Sequence, residues 1–342
     1  MTMRAPSPVS ASVSLSLSLL VALALLAALA LFPLVGSKFG IALVTKTMIL
    51  AIFALSLELL VGQTGLVSFG HAAFLGIAAY TVALMTPQSE PAAIWVVLPA
   101  ALLASGAYAL FVGALSLRTR GIYFIMVTLA FAQMAYYVFH DTELGRGSDG
   151  IYLYFRPDVS IGGWRLFDLD AGNTFYWFVL ASLAFTFGLL ALIVRSRFGR
   201  ALAGIRVNEQ RMRAAGFPTY PYKLAAFVVA AMLAGLAGFL LALKDGFVNP
   251  ELLSWHESGA VLIMIILGGI GSLWGAVIGA FAFVLLQEFF QSDPIFGEFA
   301  RHWQLTLGLT IIAFVALMPA GLIGIGRQLG RRASLRRGLR HA

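Results

Sequence analysis

Stretches of about twenty apolar residues recur along this chain, and they constrain it more than any other feature. That length spans the hydrocarbon core of a bilayer as an α-helix. The stretches fall at residues 12–34, 41–61, 66–85, 92–116, 121–139, 175–194, 224–243, 259–287 and 305–325. Hydrocarbon offers no water to backbone N–H and C=O groups, so each stretch closes its own hydrogen bonds as a helix. The expected fold class is all-α, a polytopic transmembrane helix bundle. Composition agrees: 60 % of residues are apolar and 11 % charged, against about a quarter charged in soluble domains. The stretch at 12–34 is about twice the length of a signal-peptide core and follows a single basic residue, Arg4, so it reads as an uncleaved first span.

Basic residues fix the orientation, because Lys and Arg beside a span stay in the cytoplasm. Residues 195–223 carry six arginines and Lys223 against one acid, Glu209, and residues 326–342 carry six arginines and no acid. Arg118 and Arg120 form a smaller basic turn. All three segments are expected inside the cell. The loop 141–174, with Asp141, Glu143, Asp149, Asp158, Asp168 and Asp170, is expected outside. The organisation that follows is a cytoplasmic tail at 1–11, a permease-like bundle at 12–325 and a basic cytoplasmic tail at 326–342. The net charge of +8 is accounted for by these segments. Without aromatic interleaving they argue against a nucleic-acid partner and for a lipid bilayer.

Two cytoplasmic termini need an even number of crossings, and the nine stretches give an odd one. The 29 residues of 259–287 would make a helix about 43 Å long, too long for one upright span and too short for two. Their middle reads Gly268-Gly269-Ile270-Gly271, a natural break. Two short or half-inserted helices meeting there bring the expectation to about ten membrane segments. A weaker counterpart lies in the first half, where Gly62 and Gly65 precede Gly70 and Gly76. Broken helices at membrane depth occur where they face protein or a watery cavity, and they commonly mark a substrate path.

Candidate functional residues cluster at these breaks. Glu58 and His71 flank the first one, and ionisable side chains inside a membrane are costly and tend to be functional. They could relay protons in a secondary transporter, or His71 could sit neutral and bonded to a neighbouring helix. Gly65, Ser68, Gly269 and Gly271, with Thr128 and Gln133 farther along, could line a translocation path or serve helix packing alone. Gly271, Gly275 and Gly279 form consecutive GxxxG units, and Ser68, Ala72 and Gly76 a similar small-residue ridge, of the kind that lets backbones approach closely. Between residues 196 and 216, Phe198, Leu202, Ile205 and Met212 alternate with arginines as an amphipathic helix would. Gly216 and Pro218 end it. Such a helix suits either anionic headgroups or a groove on a soluble partner.

The chain has no cysteine, no P-loop, no HExxH and no nucleophile elbow. Neither a catalytic nor a metal-ligating constellation is expected, nor a cofactor, and an enzyme is disfavoured.

Several motifs resemble one family in order. LLVGQTGLVSFGHAAF at 59–74, RGIYF at 120–124, GSDGI at 147–151, FGRALAGIR at 198–206, LGGIGSLWG at 267–275 and PAGLIG at 319–324 are similar to the branched-chain amino acid ABC transporter permeases of the LivM type. The resemblance runs from about residue 55 to 324. It implies a bacterial inner-membrane permease working with a second, homologous permease, two cytoplasmic ATP-binding subunits and a periplasmic substrate-binding protein. It also implies that 195–223 is the coupling loop, with Arg200, Arg206, Glu209, Ala214, Ala215 and Gly216 among its residues. Branched-chain or related hydrophobic amino acids are the implied cargo, with urea and amides carried by similar permeases. Two positions depart from the family pattern. Glu58 stands where a neutral polar residue is common, and Arg146 interrupts a usual Gly-Gly pair.

Overall fold

The structure is a computed structural model and describes residues 25–324, apart from 88, 162–163, 171–172 and 293–295. The tails 1–11 and 326–342 and the start of the first expected span lie outside the described residues. Twelve helices are labelled in chain order: α1 Leu25–Val35, α2 Lys38–Glu58, α3 His71–Met85, α4 Ile94–Ser116, α5 Ile122–Asp141, α6 Thr174–Arg195, α7 Arg197–Val207, α8 Glu209–Ala214, α9 Thr219–Asp245, α10 Trp255–Gly268, α11 Leu273–Gln291 and α12 Trp303–Leu317. Among the described residues, seven helical stretches are long and apolar enough to cross a membrane, and the described parts of α1, α3 and α10 are shorter apolar helices.

The hydrophobic core lies where α2, α3 and α9 meet, with α4, α6, α10 and α11 around them. Small residues bring these helices together. Gly235 faces Ser105 of α4 and Ala78 of α3, and Gly238 lies directly on the Leu75 backbone, so a side chain at either position would collide. Close backbone approach of this kind holds helices together in lipid, where apolar burial between them contributes little. Polar side chains in the bundle bond to carbonyls instead of water. Ser105 Oγ donates to Phe74 O (2.8 Å), Tyr108 Oη to Phe131 O (2.7 Å) and Tyr176 Oη to Leu29 O (2.5 Å), each tying two helices. The outward faces of α5 and α12 are largely exposed and apolar, with Met126, Met134, Leu309 and Ile312 among the uncovered side chains.

Two local departures from the expected spans have clear causes. The helix of α2 runs on through Leu59–Thr64 as a π-helical turn and stops at Gly65, whose φ of 73° is left-handed. Residues 66–70 are then non-helical and α3 begins only at His71, not at Leu66 as the apolar run suggested. The amphipathic stretch after α6 is two helices rather than one. Asn208 is extended (φ −159°), and its Oδ1 accepts from the Arg211 N–H (2.9 Å) to start α8. The break expected at Gly268–Gly271 is present between α10 and α11.

Helix ends alternate between two faces of the bundle. On one face β1 (Ile151–Tyr152) pairs antiparallel with β4 (Phe247–Val248), and β2 (Val159–Ile161) pairs with β3 (Trp164–Phe167). Arg156 fastens this face. Its Nε donates to Leu243 O (3.1 Å) and its Nη1 to Leu169 O (2.8 Å), and its guanidinium lies 4.5 Å from the Phe175 ring centre. The opposite face carries α7 and α8 and both glycine breaks.

Candidate functional site

The two breaks meet, and a third joins them. Gly268 lies against the backbone of Gly275 and Gly279, so α10 and α11 form a hairpin whose close approach depends on all three glycines. Gly269 (φ 113°) and Gly271 (φ 93°) hold backbone conformations that a side chain would strain. Gly321 (φ 68°) packs on the Gly269 backbone, bringing the PAGLIG segment onto the same spot.

Glu58 ties the first break to the second. It ends α2 fully buried, and its Oε1 accepts from the Gly271 N–H at 2.6 Å. The carboxylate thus sits at the start of α11, where the exposed N–H groups and the helix dipole favour negative charge. Its other oxygen, Oε2, has no hydrogen-bond partner. One turn on, Gly62 leaves the space the carboxylate occupies, since a Cβ there would overlap Oε1.

Arg206, at the end of α7, enters between the breaks. Its Nη1 donates to Gly62 O, its stem passes over Gly65, and its guanidinium lies beside Gly271. The helix that delivers it docks by Leu202 and Ile205, both buried. Arg200 lies on the exposed side and donates to Arg195 O (3.3 Å).

Beyond Arg206 the chain turns into α8, and Glu209 anchors it. Its Oε1 accepts from Arg213 Nη2 (2.5 Å), Lys223 Nζ (2.9 Å) and Thr219 Oγ1 (3.0 Å). Burial alone would raise this carboxyl's pKa. The hydrogen bond and charge of Lys223, then Thr219 and Arg213, outweigh burial and draw it down to about 2. The helix ends in a Schellman turn, with the Gly216 N–H (φ 85°) donating to Arg213 O (2.9 Å) and the Phe217 N–H to Met212 O (3.1 Å). Ala214, Ala215 and Gly216 form its exposed tip.

His71 lies elsewhere. Ser56 Oγ has one proton and donates it to Phe53 O (2.6 Å), so it accepts from His71 Nε2 (2.8 Å). The imidazole is stacked on Phe53, meets Phe74 edge-on, and leaves Nδ1 without a partner. Glu58 and His71 therefore have separate partners. Ser68 is buried and bonds only locally, accepting from the Gly70 N–H (3.3 Å). Thr128 is buried in α5, its hydroxyl on Ile125 O (2.9 Å) and its own carbonyl against Gly70. Gln133 is half-buried on the same helix. Ala72 is buried, and Gly76 packs on Leu253.

Sequence reasoning passed over Ser258, whose Oγ accepts from the Ala72 N–H (2.9 Å) and so joins α10 to the first turn of α3. It also passed over Ser56 and Gly321. Serine in an apolar run was the available signal for the first two.

A bundle of apolar helices, broken where three glycine segments meet and carrying a basic helix pair on that face, defines an integral membrane protein of the permease class. The comparisons narrow the class. The family model described as branched-chain amino acid transport system / permease component matches residues 39–315, and the chain belongs to that family, one of transport permeases and not of enzymes. It is 31 % identical over 315 residues to the high-affinity branched-chain amino acid transport system permease protein LivM of Salmonella typhimurium, covering 86 % of this chain and 72 % of that one. LivM of Escherichia coli K12 matches with the same identity and coverage. BraD of Pseudomonas aeruginosa, also a branched-chain amino acid permease, is 29 % identical over 138 residues, 40 % of this chain and 43 % of its own. No solved structure matches the chain.

Proposed function

We propose that this chain is a permease subunit of an ATP-driven importer for branched-chain or related hydrophobic amino acids in a bacterial inner membrane. It would form the translocation path with a second, homologous permease. Two cytoplasmic ATP-binding subunits would supply energy, and a periplasmic binding protein would deliver the amino acid. The positive-inside rule puts the arginine-rich face, with α7, α8 and both breaks, in the cytoplasm. In this reading the chain has about ten membrane segments and both termini inside.

One observation carries the reading: α7 and α8 present an exposed small-residue tip while Arg206, on the same helix pair, reaches both broken helices. A load applied at the tip has a direct route into the membrane. Gly65, Ser68, Gly269 and Gly271 sit at the near end of the path in this reading.

The test uses the assembled transporter in proteoliposomes, measuring leucine uptake and ATP hydrolysis together. Gly216→Pro removes a backbone donor and imposes a φ near −65° where 85° is needed. Arg206→Glu sets a carboxylate against Glu58. Each variant is expected to insert normally and to cut uptake per ATP at least tenfold. Normal transport by both would refute the docking assignment.

A further inference from the structure

The geometry points to Glu58 and Arg206 as a positioning pair that carries movement of the coupling helix into α11, rather than as residues that touch the transported amino acid. The inference rests on the importer reading above and goes further by assigning Glu58 a role outside the path.

Arg206 is rigidly part of α7, whose Leu202 and Ile205 are buried against the bundle. Its guanidinium donates to the carbonyl of Gly62, inside the π-helical turn that ends α2. The carboxyl of Glu58 packs directly on that turn, because its Oε1 occupies the space a Cβ on Gly62 would fill. The same Oε1 holds the Gly271 N–H at 2.6 Å, immediately before α11. A shift of α7 is thus passed through Arg206, Gly62 and Glu58 to the start of α11. Glycines at 269, 271 and 321, all with positive φ, give the receiving end backbone freedom, as hinge positions need. Oε2 of Glu58 is buried and unpartnered, so the carboxyl is held by the Gly271 N–H and by its packing on Gly62. A path residue would instead turn its polar atoms toward an opening, and Glu58 is wholly enclosed.

The experiment compares Glu58→Ala, Arg206→Ala, their double variant and Arg206→Lys in the assembled transporter, reading leucine uptake per ATP hydrolysed and the KM for leucine. Each alanine variant is expected to lower uptake per ATP about tenfold with KM unchanged. The double variant should be no worse than either single one, because both interrupt one chain of contacts. Arg206→Lys, which keeps a charged donor for Gly62, should restore at least half. The chain has no native cysteine, so Ile270→Cys, 45 % exposed beside the break, serves as a reporter. Its maleimide labelling should change on vanadate trapping in the parent and not in the alanine variants. If Glu58→Ala does not insert, Glu58→Gln replaces it, with about threefold lower coupling expected. Losses that multiply in the double variant, a raised KM, or normal coupling in the single variants would each overturn the proposal. A parent complex showing no ATP-dependent uptake would instead defeat the importer reading.

Discussion

At the scale of single residues, the structure separates two ionisable side chains that stand close together in sequence. Glu58 bonds to the α11 start, whereas His71 is enclosed by Phe53, Phe74 and Ser56. The hydroxyl of Ser56 is already committed to Phe53 O, so His71 Nε2 serves as the donor between them. His71→Gln keeps a donor near Nε2 and gives up the aromatic contacts, which are worth about 0.5–1.5 kcal/mol each. The expected result is a lower melting temperature of the solubilised protein with uptake and its pH profile retained. Abolished uptake in an assembled, inserted complex would restore a proton-handling role to His71. Charge in an apolar run was visible in the sequence, but not the direction in which each side chain turned. That depends on partners 15 residues away for His71 and 213 for Glu58. Arg146 is a related case. It is the one non-glycine residue with positive φ among the described residues (56°), a conformation costing about 1–2 kcal/mol outside glycine. That explains why a glycine suits the position.

Among the elements, the glycine-rich break between α10 and α11 was legible, because four residues with three glycines cannot carry a helix through hydrocarbon. The late start of α3 was not: Leu66 and Val67 are as apolar as any residue of a span, yet they follow the left-handed Gly65 and stay non-helical up to Gly70, which lies against the Thr128 carbonyl of α5. The division of the amphipathic stretch at Asn208 was hidden for a similar reason, since the apolar spacing continues across it to Met212, which packs back on Gly204. The hold on α8 is electrostatic, and its pH dependence has a definite sign. The Glu209 pKa falls from 4.5 to about 2 on folding, so its contribution is fully present above about pH 4.5 and is lost as pH drops toward 2. Across neutral pH the group stays charged and coupling should not vary through it. Hydrogen exchange of α8 amides in the solubilised protein should accelerate between pH 4.5 and 2, after correction for intrinsic rates. Glu209→Gln should produce the same loosening at pH 7. It leaves Lys223, whose side chain is 7 % exposed, without a counter-charge, at a cost of about 2 kcal/mol. Unchanged protection in that variant would mean that packing, not the ion cluster, holds α8.

For the molecule as a whole, the helix bundle was readable from run lengths, because hydrocarbon thickness acts on sequence directly. Which helices lie at the centre was not. Run after run is apolar throughout, and only small residues such as Gly235 and Gly238 on α9 decide that α9 is enclosed while α5 and α12 face outward. The proposed orientation can be tested with the native chain's lack of cysteine. Val207, 82 % exposed at the end of α7, and Tyr154, 65 % exposed in the acidic loop, mark the two faces. In cells with a permeabilised outer membrane, an impermeant maleimide should label Tyr154→Cys directly. Val207→Cys should react only after the inner membrane is opened, or in inverted vesicles. The physical reason is the positive-inside bias, since six arginines and a lysine lie in one short loop beside the span ends, and such loops stay cytoplasmic. Labelling of Val207→Cys from outside in intact cells would reverse every helix at once, place both glycine breaks in the periplasm, and remove α7 and α8 from the reach of any cytoplasmic ATPase.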